Sequence, residues 1–232
     1  MGKMLKAFLG LILFYSISLE AKECVVLMHG LARSADSFVI MQYRMYTEDY
    51  EVVSINYPST SYTIEELSEV YVPEGINRCG DVDKIHFVTH SMGGILVRHY
   101  FKEYGVPENL GHVVMLAPPN KGSEVVDHLK DLVGYDWWNG PAGRQLGTED
   151  TSVPNQLGPV DYSVGVIAGT KESLILSNYI LGPNDGKVSV ESTKVEGMSD
   201  HITFYASHTF IMNSGWVRDQ TVEYLKTGAF AD

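Results

Sequence analysis

One serine lies where an apolar segment gives way to a helical one. Residues 85–91 read IHFVTHS, a run that predicts a buried strand, and Met92, Gly93 and Gly94 open a segment with helical spacing. A tight strand-to-helix turn exposes a serine hydroxyl, which becomes a good nucleophile once a base lies beside it. We therefore predict that Ser91 is the nucleophile of an acyl-transfer reaction.

The turn around this serine departs from the G-x-S-x-G pattern at one position. Gly93 matches the second glycine, but Thr89 stands at the first. Threonine is small enough for such a turn if the helix is set slightly back from the strand. The strand before the turn and the helix after it favour a nucleophile over a serine in a purely structural turn.

Acyl transfer also needs hydrogen-bond donors for the oxygen that becomes negatively charged. The Met92 amide follows the nucleophile and opens the predicted helix, whose dipole favours negative charge there. A second amide is expected after an early strand, and we assign it to Leu31, with Gly30 supplying the backbone angles that turn it inward. His29 is assigned to the same substrate-binding loop, where hydrogen bonds to the backbone suit it better than the role of a base.

The base is expected on the loop after the last strand. His201 and His208 flank the apolar run 202–206, which predicts that strand. His208 follows the run, whereas His201 precedes it and belongs at the opposite end of the sheet. The sequence therefore predicts that His208 is the base.

The acid that orients this base is expected after the preceding strand. The turn-rich segment GPNDG contains Asp185 and follows the predicted strand 164–168. A carboxylate there would accept the Nδ1 hydrogen of His208 and stabilise the imidazolium ion. Asp161 and Asp200 are alternatives, and a plain Asx turn at Asp185 is another.

Continuous apolar runs predict the strands that must position these side chains. Runs without alternation are typical of parallel strands that are buried on both faces. Helical spacing between the runs gives β-α-β units, and hence a single, mostly parallel, doubly wound α/β domain. Strands are expected at 25–28, 52–55, 85–89, 112–116 and 164–168, and helices at 64–71, 94–104, 124–132 and 217–225.

Residues 134–159 interrupt this pattern. The segment is rich in Gly, Pro and Asn and has no clear period, which predicts a small lid-like insertion or a surface loop packed onto the core. Trp137 and Trp138 are assigned to substrate binding, and with Tyr135 and Leu146 they are expected to form an apolar pocket wall.

The chain begins with features of a secretory signal. Lys3 and Lys6 precede an almost wholly apolar run at 7–19, and small residues follow. We predict a signal peptide at 1–21 and a mature domain at 22–232, hence a secreted or periplasmic protein. A membrane anchor is the alternative, although the run is shorter than the roughly 20 residues of a spanning helix.

Composition narrows the choice of partners. The 232 residues carry a net charge of −12 and show no basic cluster, which argues against a nucleic-acid partner. Cys24 and Cys79 could pair in an oxidising compartment, or they could remain free thiols. Two cysteines cannot form a cysteine-based metal site, and we expect neither a metal nor another cofactor.

Several segments together resemble one known superfamily. These are HGL, THSMGG, LAPPNKGS, NDGKVSVEST and SHTFIM, and the chain from residue 25 onward resembles lipase-like α/β-hydrolases, especially small secreted bacterial ones. The resemblance implies an α/β-hydrolase fold, with Asp185 as the acid and His208 as the base. It also implies that Pro118, which opens a P-x-x-G-S-like stretch, helps to frame the acyl site.

The predicted function is that of an esterase or lipase which forms an acyl-enzyme on Ser91. Its substrate would be a small-molecule or lipid ester, with transient contact to a membrane or lipid surface. An acyltransferase with the same three residues is the first alternative. A binding protein that kept the fold and lost the activity is the second.

Overall fold

The computed structural model describes residues 22–231, so the predicted signal peptide lies outside the described residues. Its centre is a parallel sheet in the order β2-β1-β3-β4-β5-β6, with helices on both faces, which confirms the predicted fold class. The strands are β1 (Glu23–Met28), β2 (Glu51–Ile55), β3 (Lys84–His90), β4 (Leu110–Leu116), β5 (Val164–Gly169) and β6 (Asp200–Phe204).

The helices extend or shorten the predicted ones. The longest, α2, begins at a capping box between Thr63 and Glu66 and continues past Pro73 to Cys79, because its buried side packs on the sheet. Only α4 is shorter than its predicted segment. The helices are α1 (Val39–Tyr46), α2 (Ile64–Cys79), α3 (Met92–Tyr104), α4 (Glu124–Leu129), α5 (Tyr135–Arg144), α6 (Val153–Gln156) and α7 (Gly215–Thr227).

The order of the strands creates a crevice at one edge of the sheet. β1 lies between β2 and β3, so the chain leaves β1 to one side and later returns to pair β3 on the other. Loops that follow two such neighbouring strands diverge, which opens a crevice outside their carboxyl ends. All strand pairs are parallel, so the loops after β3, β5 and β6 lie at this same edge.

Two apolar layers hold the helices on the sheet. On one face, α2 and α3 pack against residues such as Val26 and Phe87, and on the other, α1 and α7 pack against residues such as Leu27 and Val88. Burial of both faces explains why the strands are continuous apolar runs. Within residues 22–231, none of the helices has the length and apolarity that crossing a bilayer requires.

The insertion at 134–159 folds as two short helices beside the crevice. α5 is broken at Gly140, whose backbone is not helical, and α6 follows it as a single turn. Trp137 and Trp138 are 85% and 72% exposed, so neither ring packs onto the core. The insertion is therefore not a loop that is tied down by its tryptophans.

A disulfide bond joins Cys24 in β1 to Cys79 at the end of α2. The Cα atoms lie 5.8 Å apart, and the bond closes a loop across 55 positions of sequence. A cross-link of this length removes conformational freedom mainly from the unfolded chain. It also fixes the end of α2 against the strand that leads into the crevice.

We expect the paired substitution Cys24→Ala with Cys79→Ala to lower the free energy of unfolding by about 4 kcal/mol, because the cross-link no longer restricts the unfolded state. Urea denaturation of both proteins checks this. A reductant should destabilise the wild type by a similar amount and leave the paired variant unchanged. Equal stabilities of the two oxidised proteins would contradict the prediction.

Candidate active site

Three side chains that are distant in sequence meet at the carboxyl edge of the sheet. The Ser91 hydroxyl lies after β3, and its Oγ is 2.9 Å from Nε2 of His208. The Nδ1 hydrogen of His208 is donated to Oδ2 of Asp185 at 2.7 Å. The structure thus joins the predicted nucleophile, base and acid in one hydrogen-bonded chain, and all three side chains are buried.

The backbone at Ser91 adopts a conformation that few residues other than glycine tolerate. Its φ is 53° and its ψ is −124°, and α3 begins at the next residue. Helix and strand approach so closely that a methyl group built on Gly93 would overlap the carbonyl oxygens of Met28 and His29. The turn therefore has the strain and the close packing of a nucleophile elbow.

Thr89, the departure from the glycine pattern, is accommodated by a glycine on the helix. A methyl group on Gly94 would lie only 3.1 Å from the Thr89 hydroxyl. Because Gly94 has no side chain, α3 leaves room for this buried threonine. The Thr89 hydroxyl has no hydrogen-bond partner among the described residues.

Backbone groups hold the acid in place. Oδ1 of Asp185 accepts hydrogen bonds from the amides of Lys187 and Val188, at 2.9 and 2.8 Å, which leaves Oδ2 for His208. The His208 amide also donates to the Asp185 carbonyl oxygen at 3.0 Å. Asp185 and His208 are thus joined through both main chain and side chain.

The alternative candidates lie elsewhere. His201 stands in β6 with its Nε2 3.0 Å from the Thr193 hydroxyl. Asp200 accepts hydrogen bonds from two backbone amides, one of them that of Phe230. Asp161 precedes β5, at the opposite end of that strand from Asp185. None of the three touches Ser91 or His208.

The loop after β1 is organised by His29. Its Nδ1 hydrogen is donated to the Gly30 carbonyl at 2.8 Å, its Nε2 accepts from the Tyr57 amide at 3.2 Å, and its ring stacks on that of Tyr57. Burial lowers the pKa of His29, which keeps the ring neutral. His29 therefore shapes the loop and does not line the pocket.

The role expected of Gly30 needs a correction. Positive φ in this loop occurs at Ala32, whose φ is 53°, and not at Gly30. Gly30 is needed for space, since a methyl group there would lie 2.9 Å from Nδ1 of His90. Leu31 lines the same cavity as Ser91, and Met92 follows Ser91 in the chain. Neither of their amides donates a hydrogen bond to another of the described residues.

His90 is a residue of the candidate site that sequence reasoning missed. Its ring is buried, and its Nε2 hydrogen is donated to the His208 carbonyl at 2.8 Å. Burial, followed by the charge of His208, holds the pKa of His90 well below its usual range. A neutral His90 thus holds the backbone of His208, and its place directly before Ser91 was the available signal.

A cavity of about 360 Å³ opens above Ser91 and His208. Of the residues predicted for its wall, Tyr135 and Leu146 line it, whereas Pro118, Trp137 and Trp138 do not. Leu31, which was predicted to supply an oxyanion amide, also lines the cavity. Pro119 takes the place expected of Pro118. Its other lining residues are Ala32, Arg33, His90, Ser123, Val125, Val126, Leu129, Asn139, Leu176, Lys187, Val188 and Thr209.

The missed pocket residues come from two sources. Val125, Val126 and Leu129 belong to α4, whose position over the cavity depends on tertiary packing. Arg33 and Lys187 each lie two residues beyond a predicted site residue, so their sequence positions were a usable signal. Among the described residues, no cluster of three or more His, Cys, Asp or Glu side chains could hold a metal ion.

Comparison with known families identifies the fold. A sequence profile described as the alpha/beta hydrolase fold matches residues 23–144. The chain belongs to the alpha/beta hydrolase family. The matched segment contains β1 to β4, Ser91 and both candidate oxyanion amides, and it ends at the last residue of α5. A search of curated protein sequences finds no match.

Solved structures of alpha/beta hydrolases share this fold at low sequence identity. Mature lipase BlEst2 of Bacillus licheniformis has a TM-score of 0.70 and 18% identity, with 89% of this chain and 93% of that chain covered. Monoacylglycerol lipase of Paleococcus ferrophilus has a TM-score of 0.58 and 17% identity, with 88% of this chain and 94% of that chain covered. Phospholipase PlaB of Legionella pneumophila has a TM-score of 0.66 and 16% identity, with 90% of this chain but only 57% of PlaB covered.

The two glycines after the nucleophile allow a matched test of the elbow. We expect Gly93→Ala to lower the free energy of unfolding by about 3 kcal/mol, because its methyl group would overlap backbone oxygens that cannot move aside. Gly94→Ala should lower the free energy of unfolding by less, since its methyl group would meet side chains and not backbone. Adding Thr89→Gly to Gly94→Ala should offset part of that loss, because the nearest of these side chains is removed. Urea denaturation measures all three variants, and equal losses at positions 93 and 94 would contradict this account.

Proposed function

We propose that this protein is a serine hydrolase that cleaves carboxylic esters through an acyl-enzyme on Ser91. The observation that carries the proposal is the continuous chain of hydrogen bonds from Ser91 through His208 to Asp185. Nucleophile, base and orienting acid are the groups that acyl transfer requires in this order of contact.

In the first step, the Ser91 Oγ attacks the ester carbonyl carbon while its proton passes to Nε2 of His208. Asp185 stabilises the resulting imidazolium ion, and the backbone amides on its Oδ1 keep its carboxylate in place. His208 then gives the proton to the leaving alcohol oxygen. A water molecule, deprotonated by His208, hydrolyses the acyl-enzyme and restores Ser91.

The Leu31 and Met92 amides are the proposed donors to the oxyanion. Met92 is the first residue of α3, where a free amide and the helix dipole both favour negative charge. Leu31 follows the loop that His29 holds against Tyr57, so its amide is positioned before substrate binds. Such preorganised donors stabilise the transition state by about 3 kcal/mol each in known enzymes.

The substrate we propose has an apolar acyl group. One wall of the cavity is formed by Val125, Val126, Leu129 and Leu146, which suit a hydrocarbon chain. The names of the structural neighbours, two lipases and a phospholipase, agree with a lipid ester as substrate.

Seven exposed apolar residues, called the patch below, support contact with a lipid surface. They belong to two segments that neighbour α4, which itself lines the cavity, and the ring of His128 in α4 packs against that of Tyr179 at 4.9 Å. Exposed apolar patches of this kind typically mark interaction sites. We define the patch as Leu132, Val133, Trp137, Trp138, Leu174, Ile175 and Leu181, all more than half exposed.

We also propose that the protein is exported, to the periplasm or the medium. The Cys24–Cys79 disulfide supports this, because such bonds persist in oxidising compartments. The signal-like segment at 1–21 supports it independently.

An active-site fluorophosphonate probe should label the wild type and fail to label Ser91→Ala. The same variant should lose at least roughly 10⁴-fold in kcat on a nitrophenyl ester, since it lacks the nucleophile. Ser123→Ala, which alters another serine of the cavity, is the control and should still be labelled. Ester hydrolysis that survives in Ser91→Ala would refute the proposed nucleophile.

Replacing Trp137 and Trp138 together by Ser should weaken binding to phosphatidylcholine vesicles by about tenfold, because two exposed apolar rings no longer enter the lipid interface. Vesicle sedimentation measures this. Tyr43→Ser removes an aromatic ring that is 70% exposed on α1 and serves as the control. The lipid-surface role is wrong if the tryptophan variant and the control bind vesicles as the wild type does.

A further inference from the structure

We propose that Arg33 and Lys187 form an anion subsite in the catalytic cavity, and that this subsite takes a phosphate carried on the alcohol part of the ester. The inference rests on the proposed function, because it names the substrate class of the same site. It predicts a phosphorylated acyl glycerol or a similar acidic lipid, in preference to a neutral ester.

The first observation is the sign of the charge in the cavity. The protein as a whole carries a net charge of −12. Among the described residues, however, the charged side chains that line the cavity are Arg33 and Lys187, and no Asp or Glu lines it. Two cations that face the space above the nucleophile, on an otherwise acidic protein, favour an anionic ligand there.

The second observation is that these cations lack carboxylate partners. Neither Arg33 nor Lys187 has a carboxylate oxygen within 4.0 Å in the part of the chain that the structure describes. Within residues 22–231, the Arg33 guanidinium donates only to the Thr209 carbonyl, at 3.3 Å. Most of the guanidinium donors of Arg33 and the Lys187 ammonium therefore remain free for a ligand, and guanidinium matches the geometry of phosphate oxygens.

The third observation is the side of the nucleophile on which the two cations lie. Arg33 contacts Thr209, the neighbour of the base His208, and Lys187 follows Asp185, which holds that base. In ester cleavage, His208 returns a proton to the leaving alcohol, so the alcohol must lie beside this histidine. A charge on the alcohol part would therefore meet the two cations.

The surroundings of the Lys187 ammonium agree with a site that takes an anion. Desolvation by the surrounding protein lowers the pKa of Lys187, the Asp185 carboxylate raises it, and the charge of Arg33 lowers it further. Because Arg33 and Lys187 line one cavity, their charges repel each other, and a bound phosphate would relieve this repulsion. Lys187 retains exposed surface, so a ligand can reach it.

The rest of the cavity lining fits the remainder of an amphiphile. Val126, Leu129 and Leu146 offer an apolar surface to the acyl chain, and Arg33 and Lys187 offer charge to the head group. Ser91 lines the same cavity, so the acyl chain, the ester bond and the head group of one molecule can be bound together there.

The kinetic test compares two esters that share one acyl group and one scissile bond, 1-hexanoylglycerol 3-phosphate and 1-hexanoylglycerol. The wild type should prefer the phosphorylated ester in kcat/KM. Arg33→Gln and Lys187→Gln should each lower the ratio of the two kcat/KM values by about tenfold, because one charge is lost from the subsite. Loss of the Arg33 contact to Thr209 would affect both esters and cancel in this ratio.

Charge-conserving and remote variants serve as controls. Arg33→Lys and Lys187→Arg should retain most of the preference, and they keep the test valid if a glutamine variant folds poorly. Arg78→Gln removes an exposed cation on α2 that pairs with Glu74, far in sequence from the site, and should keep the wild-type ratio. A wild-type ratio near one, or glutamine variants that leave the ratio unchanged, would overturn the subsite.

A binding experiment separates this inference from the hydrolase proposal. Calorimetry on Ser91→Ala should show that decyl phosphate binds about tenfold more tightly than decanol and about tenfold more tightly than inorganic phosphate. Adding Lys187→Gln should remove the advantage of decyl phosphate over decanol, because that advantage comes from the charge of the phosphate. Equal affinity for decyl phosphate and decanol would overturn the subsite, as would equal affinity for decyl phosphate and inorganic phosphate. If the wild type cleaves neither ester, the hydrolase proposal fails, while the binding result still decides the subsite.

Discussion

The site depends on the tight turn by which β3 passes into α3. At Ser91 the backbone takes a positive φ of 53°, which costs free energy and persists only because the surrounding packing enforces it. Gly93 allows α3 to approach the end of β1, and this approach brings the loop after β1 beside Ser91. The serine hydroxyl and both candidate oxyanion amides thereby lie near the crevice between the loops after β1 and β3, where the order of the strands reverses.

Three buried histidines around this turn have different roles because their hydrogen-bond partners differ. His29 and His90 contact backbone groups, and desolvation lowers the pKa of each, so that they stay neutral and hold loops in place. Of the three, His208 alone contacts both a carboxylate, that of Asp185, and the Ser91 hydroxyl. Hydrogen-bond partners thus give two of the histidines a structural role and give the third the contacts that the proposed base requires.

Local patterns carried enough information for the fold and for much of the candidate site. Continuous apolar runs separated by helical segments specify buried parallel strands, because only such strands are covered on both faces. In a parallel sheet the carboxyl ends of the strands share one edge. The connections after β3, β5 and β6, with the Asn-Asp-Gly turn in the second of them, were therefore sufficient to select Ser91, Asp185 and His208, which the structure brings together.

Sequence alone thus determined the parallel sheet and the edge at which the site forms, since strand period and chain order are local properties. Tertiary structure decided which side chains face the cavity. The exposure of Trp137, the contact of His90 with the base, the disulfide and the facing of Arg33 and Lys187 into one cavity are examples. Each depends on how distant segments pack, because a side chain's direction is set by its neighbours in space and not by its neighbours in sequence.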